Sequence, residues 1–397
     1  MAGFGLVRAL PDGPLDIIGD VHGELRALEK LLAHLERRAK GEKRHIVFVG
    51  DLVDRGPDSP GVVRKVAQLM EQGRASCVLG NHELNLLRAS RYSKRDNSWF
   101  RGEKRHFDRA NEIPESRLGS ISYPEDHEDP ERPVLAAEHW RMLRFLATLP
   151  LALEREDIRV VHAAWHPASI AAARAIDHDP ALDVASMFGD RKGTPRGALG
   201  LHEFALAAAV GRLNKLGLAD QALADQRLHE KHFPIGISEG DGLTEAPEHS
   251  EAITRRELLY QNENPVRVIT SGIEAQSERI FVAGGKWRFT KRDPWWREYE
   301  DEAHVVMGHY WRGTSADVNP RGRFSPPDPF EGESGVGPLV SDSGPKRVWC
   351  IDFSVGKRFL ERHGQGAEAR FTGRLACLRW PEREIVFDDG ESHQRLE

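Results

Sequence analysis

Carboxylates, amides and imidazoles recur in this chain in four short runs: GDVHG (Asp20, His22), GDLVDRGP (Asp51, Asp54, Arg55), GNHE (Asn81, His82) and VVHAAW (His162), with MGHYW (His309) much later. Asp20 and His22 are two residues apart at the end of an extended run, so both side chains leave the same side of the backbone and one metal ion can take both. Asp51 closes the next apolar run, and its two oxygens can bridge two cations roughly 3.5–4 Å apart, the spacing of two-metal hydrolytic sites. Asn81 adds an amide oxygen, and His162 and His309 add imidazoles, for a second ion. The absence of thiolate from this set disfavours a structural zinc site and suits Mn, Fe or a catalytic Zn, without choosing among them.

The neighbouring residues complete a hydrolytic set. A leaving group needs a proton, and His82 is placed to give one, because its neighbour is a ligand and its unperturbed pKa of about 6.5 suits proton transfer near neutrality. Asp54 can accept the other ring N–H of His82 and stabilise the imidazolium. Arg55 can fork onto two phosphate oxygens, which Lys cannot.

The apolar runs LDII, HIVFV and SCVL precede the first three motifs, and helical patterns follow two of them: Leu25, Leu28, Leu31, Leu32 and Leu35, then Val62, Val66, Leu69 and Met70. The motifs therefore lie at strand ends in consecutive βαβ units with a largely parallel sheet. His166 is four residues beyond His162, the spacing of a helical zinc pair, but the alternating DIRVV before it and Pro167 after it mark a strand end, with only His162 facing the site.

Taken together, GDxHG, GDxxDRG and GNHE at intervals of about thirty residues, with the later HA and GH histidines, resemble the calcineurin-like metallophosphoesterases of the phosphoprotein phosphatase superfamily. The resemblance covers about residues 14–90, 157–167 and 304–387. It implies an α/β fold, a four-layer α/β/β/α sandwich with long insertions over the active site. It also implies two divalent metal ions, Mn first with Fe or Zn as alternatives. Asp20, His22 and Asp51 would hold the first ion, and Asp51, Asn81, His162 and His309 the second. Asp54 and His82 would form the acid pair and Arg55 the phosphate clamp. The tail RVWCIDFSVGK, GRLACLRW, EIVF is similar to bacterial members, symmetrical diadenosine tetraphosphatases included, and the SAPNYC run of eukaryotic protein phosphatases is missing. The expected activity is hydrolysis of phosphate monoesters, on phosphorylated protein or a small phosphate. The alternatives are a dinucleoside polyphosphate hydrolase and, in another class, an inactive phosphate-binding module, which would be expected to have lost a ligand or His82.

The organisation expected is a discontinuous core, residues 1–167 and 304–397, with an insertion or cap at 168–303. Residues Ser93–Arg132 are charged without period and read as a long surface excursion; Val134–Leu149 returns to a helix, and 319–346, rich in Pro, Gly and Ser, reads as a loop beside the site. Within the insertion, VRVIT, ERIFVAG and KWRFT read as strands. The stretch KWRFTKRDPWWREY sets Trp287, Trp295 and Trp296 among Arg288, Lys291, Arg292 and Arg297. Arg288, Trp295 and Trp296 are candidate substrate-binding residues that could stack a base and hold phosphates; the competing reading is a hairpin whose aromatics cover the core edge.

Composition is that of an ordinary globular chain of 397 residues, 39% apolar, with a net charge of −6 and pI near 6.3, which offers no global attraction to nucleic acid. Cys77, Cys350 and Cys377 are scattered and read as small buried hydrophobes rather than disulfides or a metal cluster. The N-terminal MAGFGLVRALPDGP lacks the pattern of an export signal, and no run of about eighteen apolar residues occurs, so a cytoplasmic chain with no membrane span is expected.

Overall fold

The computed structural model describes residues 5–91, 137–176, 197–232, 245–283, 286–312, 325–330, 347–365 and 371–393. The expected excursion over Ser93–Arg132 and most of the expected loop at 319–346 lie outside them.

Strands near the two ends of the chain combine into two sheets. One has the order β13 (Ser392–His393), β12 (Glu384–Phe387), β11 (Ala376–Trp380), β2 (Leu15–Ile18), β3 (His45–Phe48), β4 (Ala75–Cys77). The other has the order β1 (Val7–Ala9), β5 (Ala152–Glu154), β6 (Ile158–Val161), β9 (His304–Met307), β10 (Val348–Cys350). The pairs β2–β3 and β3–β4 are parallel, as the βαβ reading requires, and so are β6–β9 and β9–β10.

Period-2 side-chain direction explains the sandwich. Leu15 and Ile17 of β2, Val47 of β3, Leu378 of β11, Ile158 and Val160 of β6, Val306 of β9 and Trp349 of β10 form one buried cluster between the sheets. Their neighbours Ile18, Ile46, Phe48, Cys377, Val161, Val305 and Cys350 belong instead to the cluster shared with the helices. Such strands are apolar on both faces, and their sequences read as continuous hydrophobic runs for that reason.

Helix α1 (Leu25–Ala39) buries Ala27, Leu28, Leu31 and Leu35, the stripe expected of it, and α2 (Ser59–Glu71) buries Val62, Val66 and Leu69. Asp58 starts α2 by accepting the Gly61 N–H at 2.7 Å, with Pro60 in the first turn, where its missing donor costs nothing. Helix α3 (Asn81–Arg91) follows β4 directly, and α4 (Ala137–Ala147) lies inside the expected 134–149 run.

Between β6 and β9 come α5 (Pro167–Arg174), α6 (Gly197–Lys215), α7 (Ala219–His232), α8 (Glu251–Asn262), α9 (Pro265–Ser271), the hairpin β7 (Glu274–Ala283) with β8 (Lys286–Arg292), and a 3-10 turn at Trp295–Glu298. The hairpin matches the strands expected at ERIFVAG and KWRFT. VRVIT does not form a strand; it is helix α9. Its β-branched residues suggested extension, but stop and start signals decide. The Asn264 side chain accepts the Arg267 N–H, Pro265 occupies the first turn, and Gly272 ends the helix at φ 81°.

Candidate active site

The predicted metal ligands, His82, Asp54 and Arg55 converge where strand ends of both sheets meet. Five of them, His22 (φ 47°), Asp51 (50°), Asp54 (70°), Arg55 (71°) and His309 (67°), hold left-handed backbone, a conformation that costs an L side chain of order 1–3 kcal/mol. Close approach of backbone is a second constraint. A Cβ on Gly80 would lie 2.2 Å from Asp51 Oδ1, so the turn into α3 admits only glycine.

Asp51 sits at the centre. Its Oδ2 lies 3.7 Å from His22 Nε2, while its Oδ1 lies 3.3 Å from His162 Nε2 and accepts the His82 N–H at 3.0 Å. One carboxylate is thus divided between two sets of nitrogen donors. Asn81 Oδ1 stands 3.0 Å from His162 Nε2 and 2.9 Å from His309 Nδ1. Asp20 lies 3.9 Å from His22 Nε2, and both its oxygens accept the His309 N–H at 3.2 Å.

These donors fit two cations. His22 Nδ1 is committed to Val53 O at 3.1 Å and His162 Nδ1 to Val49 O at 2.8 Å, so each ring, when neutral, turns its Nε2 lone pair inward. Gaps of 3.3–3.9 Å between inward-facing donors are what a cation with ligand bonds of about 2.0–2.2 Å would span. Metal-capable groups accordingly fall into two sets sharing Asp51: His22, Asp51 and His82, and Asp51, His162 and His309. His82 borders the first set, with Nε2 at 3.9 Å from Asp51 Oδ2.

Electrostatics shows the same demand for positive charge. Burial and the adjacent Asp352 push the Asp20 carboxyl well above its ordinary range. Against burial, His162 and His82 hold Asp51 well below its own. Burial lowers a histidine, yet Asp51 and Asp20 push His162 up to about 10. Burial, followed by Arg55 for His22 and Arg292 for His309, drives those two rings well below the usual value and leaves them neutral.

The two residues expected to form an acid pair are in contact. His82 Nδ1 lies 2.6 Å from Asp54 Oδ2, and Asp51 and Asp54 together raise His82 against the effect of burial, which favours the proton-carrying form. Arg55 spans the edge of the site, 3.0 Å from His22 Nε2 and 3.4 Å from His82 Nε2. His166 points away, bonded to Ser169 Oγ at 2.9 Å at the start of α5.

The candidate substrate residues between β6 and β9 lie elsewhere. Trp295 and Trp296 are buried, 7% and 1% exposed. Trp295 donates its indole N–H to Ala163 O at 3.0 Å, and Trp296 stacks on Phe330 and meets Tyr310 edge-on. Neither ring offers a face to a base. Trp287 packs with Ile253, Val282 and Phe289, and Arg288 lines a separate cleft with Arg256 and Glu257. The core-covering reading of this stretch holds. Its contribution to the candidate site is mechanical: Ile269 O of α9 accepts the N–H groups of Ala163 and Ala164 while Trp295 holds Ala163 O, so the segment between β6 and β9 fixes the loop that presents His162.

Two residues escaped the sequence reading. Glu83, fully buried, accepts the backbone N–H groups of Asp51 (2.8 Å), Leu52 (2.7 Å), Val53 (3.2 Å) and Gly80 (3.0 Å), and burial with the nearby Asp51 pushes its carboxyl up to about 7. Its signal was the acid in the first turn of α3. Asp352 follows β10 as Asp20 and Asp51 follow β2 and β3. It is buried, raised to about 6 chiefly by burial, and its Oδ2 has no hydrogen-bond partner among the described residues. A carboxylate oxygen without a hydrogen-bond partner beside Asp20 fits a site built to take a cation. Its signal was an Asp closing the apolar run VWCI.

Residues 13–194 match the model of the Calcineurin-like phosphoesterase family. An asymmetrical bis(5'-nucleosyl)-tetraphosphatase of Oceanobacillus iheyensis is 49% identical over 74 residues, 17% of this chain and 30% of the relative. A symmetrical bis(5'-nucleosyl)-tetraphosphatase of Ralstonia nicotianae is also 49% identical over 74 residues, 19% of this chain and 24% of the relative. The chain therefore spans less than a third of the length of these relatives. Among solved structures, a cold-active protein-tyrosine phosphatase of a psychrophilic Shewanella aligns with 98% of this chain and 83% of its own, at 14% identity and TM-score 0.41. With its matched residues supplying Asp20, His22, Asp51, Asn81, His82 and His162, the chain carries a calcineurin-like phosphoesterase domain.

Proposed function

We propose that the chain is a dinuclear metal-dependent phosphoesterase, with phosphate monoesters of proteins or small molecules as its substrates. The observation that carries this reading is the Asp51 carboxylate, shared between the His22 side and the His162 side, with Arg55, His82 and Asp54 lined along one edge. Asp20, His22 and Asp51 would hold one ion and Asp51, Asn81, His162 and His309 the other, with Mn the first choice for this oxygen and nitrogen set. When bound, two divalent cations supply Lewis-acid polarisation of phosphoryl oxygens and a lowered pKa for water.

The remaining roles belong to side chains. Arg55 binds two equatorial oxygens of the phosphoryl group as a fork. His82 delivers its proton from Nε2 to the leaving oxygen, because Nδ1 is held by Asp54. Glu83 keeps Asp51 aimed by accepting four backbone N–H groups around it. An inactive module is disfavoured by the presence of every ligand and of His82.

A second reading, hydrolysis of dinucleoside tetraphosphates, is favoured by the names of the relatives. Their identity lies in the short segment they share with this chain, and the buried Trp295 and Trp296 remove the base stack that would have supported it. The described helices include none long and apolar enough to cross a membrane, and Cys77, Cys350 and Cys377 are free and buried, which supports a reducing, cytoplasmic setting as part of this proposal. The test is kcat/KM for p-nitrophenyl phosphate, phosphopeptides and diadenosine tetraphosphate with protein reconstituted with Mn. Preference for the dinucleotide by more than about tenfold, some 1.4 kcal/mol, would replace the first reading with the second.

A further inference from the structure

The tryptophans whose side chains are described are buried, with one exception. Trp165, Trp287, Trp295, Trp296, Trp349 and Trp380 are 8% exposed or less, whereas Trp311 is 42% exposed. It stands two residues after His309, and the guanidinium of Arg55 lies over its ring, 4.7 Å from the centroid. An indole with a cation on one face and nearly half its surface open is not filling the core.

Position gives the open part a direction. Arg55 reaches His22 with one nitrogen and His82 with the other, so Trp311, stacked on Arg55, borders the same edge of the site as the proton donor. Tyr310, buried between His309, Trp296 and Phe330, anchors the strand end that presents it. A group leaving from phosphorus toward His82 departs beside this ring.

We propose that Trp311 is a specificity residue: with one face against Arg55, it receives an aromatic leaving group on its open surface. The substrate class is a phosphate ester whose leaving group carries a flat π-system, either an aryl group one bond from the ester oxygen or a nucleobase further off. The inference rests on the phosphoesterase reading above and deepens it.

The experiment compares wild type, Trp311→Ala and Trp311→Phe, reconstituted with Mn, on phenyl phosphate, cyclohexyl phosphate and diadenosine tetraphosphate. Binding of phenylphosphonate and cyclohexylphosphonate is measured alongside by calorimetry. Intrinsic reactivity of each ester cancels when variant is divided by wild type. Trp311→Ala should raise KM for phenyl phosphate and weaken phenylphosphonate about tenfold, the effect of one aromatic contact, while the cyclohexyl pair shifts less than about twofold. Trp311→Phe should restore most of the loss. A matching loss for the dinucleotide assigns the π-system to a base; a loss confined to the phenyl pair assigns it to an aryl group. Equal losses in both series, or none, would overturn the proposal and leave Trp311 as a support for Arg55. A wild type inactive on every ester would defeat the phosphoesterase reading, and the phosphonate ratio would still decide the role of Trp311.

Discussion

The loops at the ends of β2, β3, β4 and β9 and the segment between β6 and β9 both mix charge with aromatic rings, yet the loops gather carboxylates and imidazoles around one point while the segment packs its tryptophans into apolar clusters. In the loops, His22, Asp51, Asp54, Arg55 and His309 hold left-handed backbone, and carboxylates such as Asp20 and Asp51 are buried beside imidazoles. In the β6–β9 segment, Trp287, Trp295 and Trp296 are buried in apolar clusters. Strain and uncompensated charge concentrate where function demands them, whereas a Trp beside an Arg in sequence is equally consistent with packing.

The sharpest way to break this contrast is Asp51→Asn. If one carboxylate serves two cations, the variant should lose both ions by mass spectrometry of metal content, and lose more activity than any other single change. Retention of two ions per chain would show that Asp51 does not bridge. Next in size is His82→Asn, expected to keep its metals while kcat falls about two to four decades. Esters with very good leaving groups should be spared; equal losses across leaving groups would remove His82 as the acid.

Glu83→Gln tests the scaffold rather than the ligands. Four N–H groups now converge on a carboxylate, and an amide can serve only half of them, so two buried donors should be left facing an NH2 group. We expect a stability loss of roughly 2–4 kcal/mol by urea unfolding, with weakened metal affinity. A variant as stable as wild type would deny Glu83 that role. Trp295→Ala supplies the contrasting case from the other region. It should cost about 3–5 kcal/mol as a large core truncation while KM for any phosphate ester stays near its original value. A raised KM with unchanged stability would restore a substrate role to the β6–β9 segment.

What was legible divides along the same line. Asp20, His22, Asp51, Asn81, His162 and His309 could be found because ligand chemistry restricts both residue type and spacing, and the crossover stripes Leu28, Leu31 and Leu35 because packing on a sheet imposes a period. VRVIT misled because four of its residues are buried and β-branched in a helix of one to two turns, too short for a period to show; the Asn264-Pro265 start was the better signal. Glu83 and Asp352 stayed hidden because their partners are backbone N–H groups and a neighbouring carboxylate, which leave no spacing rule in the sequence. Among the tryptophans whose side chains are described, Trp311 is set apart by exposure, a property of the fold.

The smallest expected effect lies at the other end of β9, where His304 begins the strand that leads to His309. Its Nδ1 accepts the Trp349 indole N–H at 3.0 Å and its ring packs on Trp380 at 4.8 Å between centroids. Burial, then Arg383 and Arg347, lower its pKa to about 4, against a backbone hydrogen bond with Arg347 and the charge of Asp157. An imidazolium would lose the Trp349 bond and face two arginines. The folded pKa lies below the unfolded value of about 6.5, so between these two values the unfolded chain binds more protons. Stability must therefore fall as pH drops from about 6.5 toward 4 and level off below that, with its full contribution present above 6.5. The ring is only half buried, so the slope should be shallow. His304→Gln keeps an acceptor for Trp349 but cannot titrate. Its Tm should fall less steeply than that of wild type across this window, measured on metal-free protein so that the ligand histidines contribute equally to both. Parallel curves would show that His304 is not held neutral by the two sheets, and that the strained, charge-sensitive chemistry of this molecule is confined to the opposite end of β9.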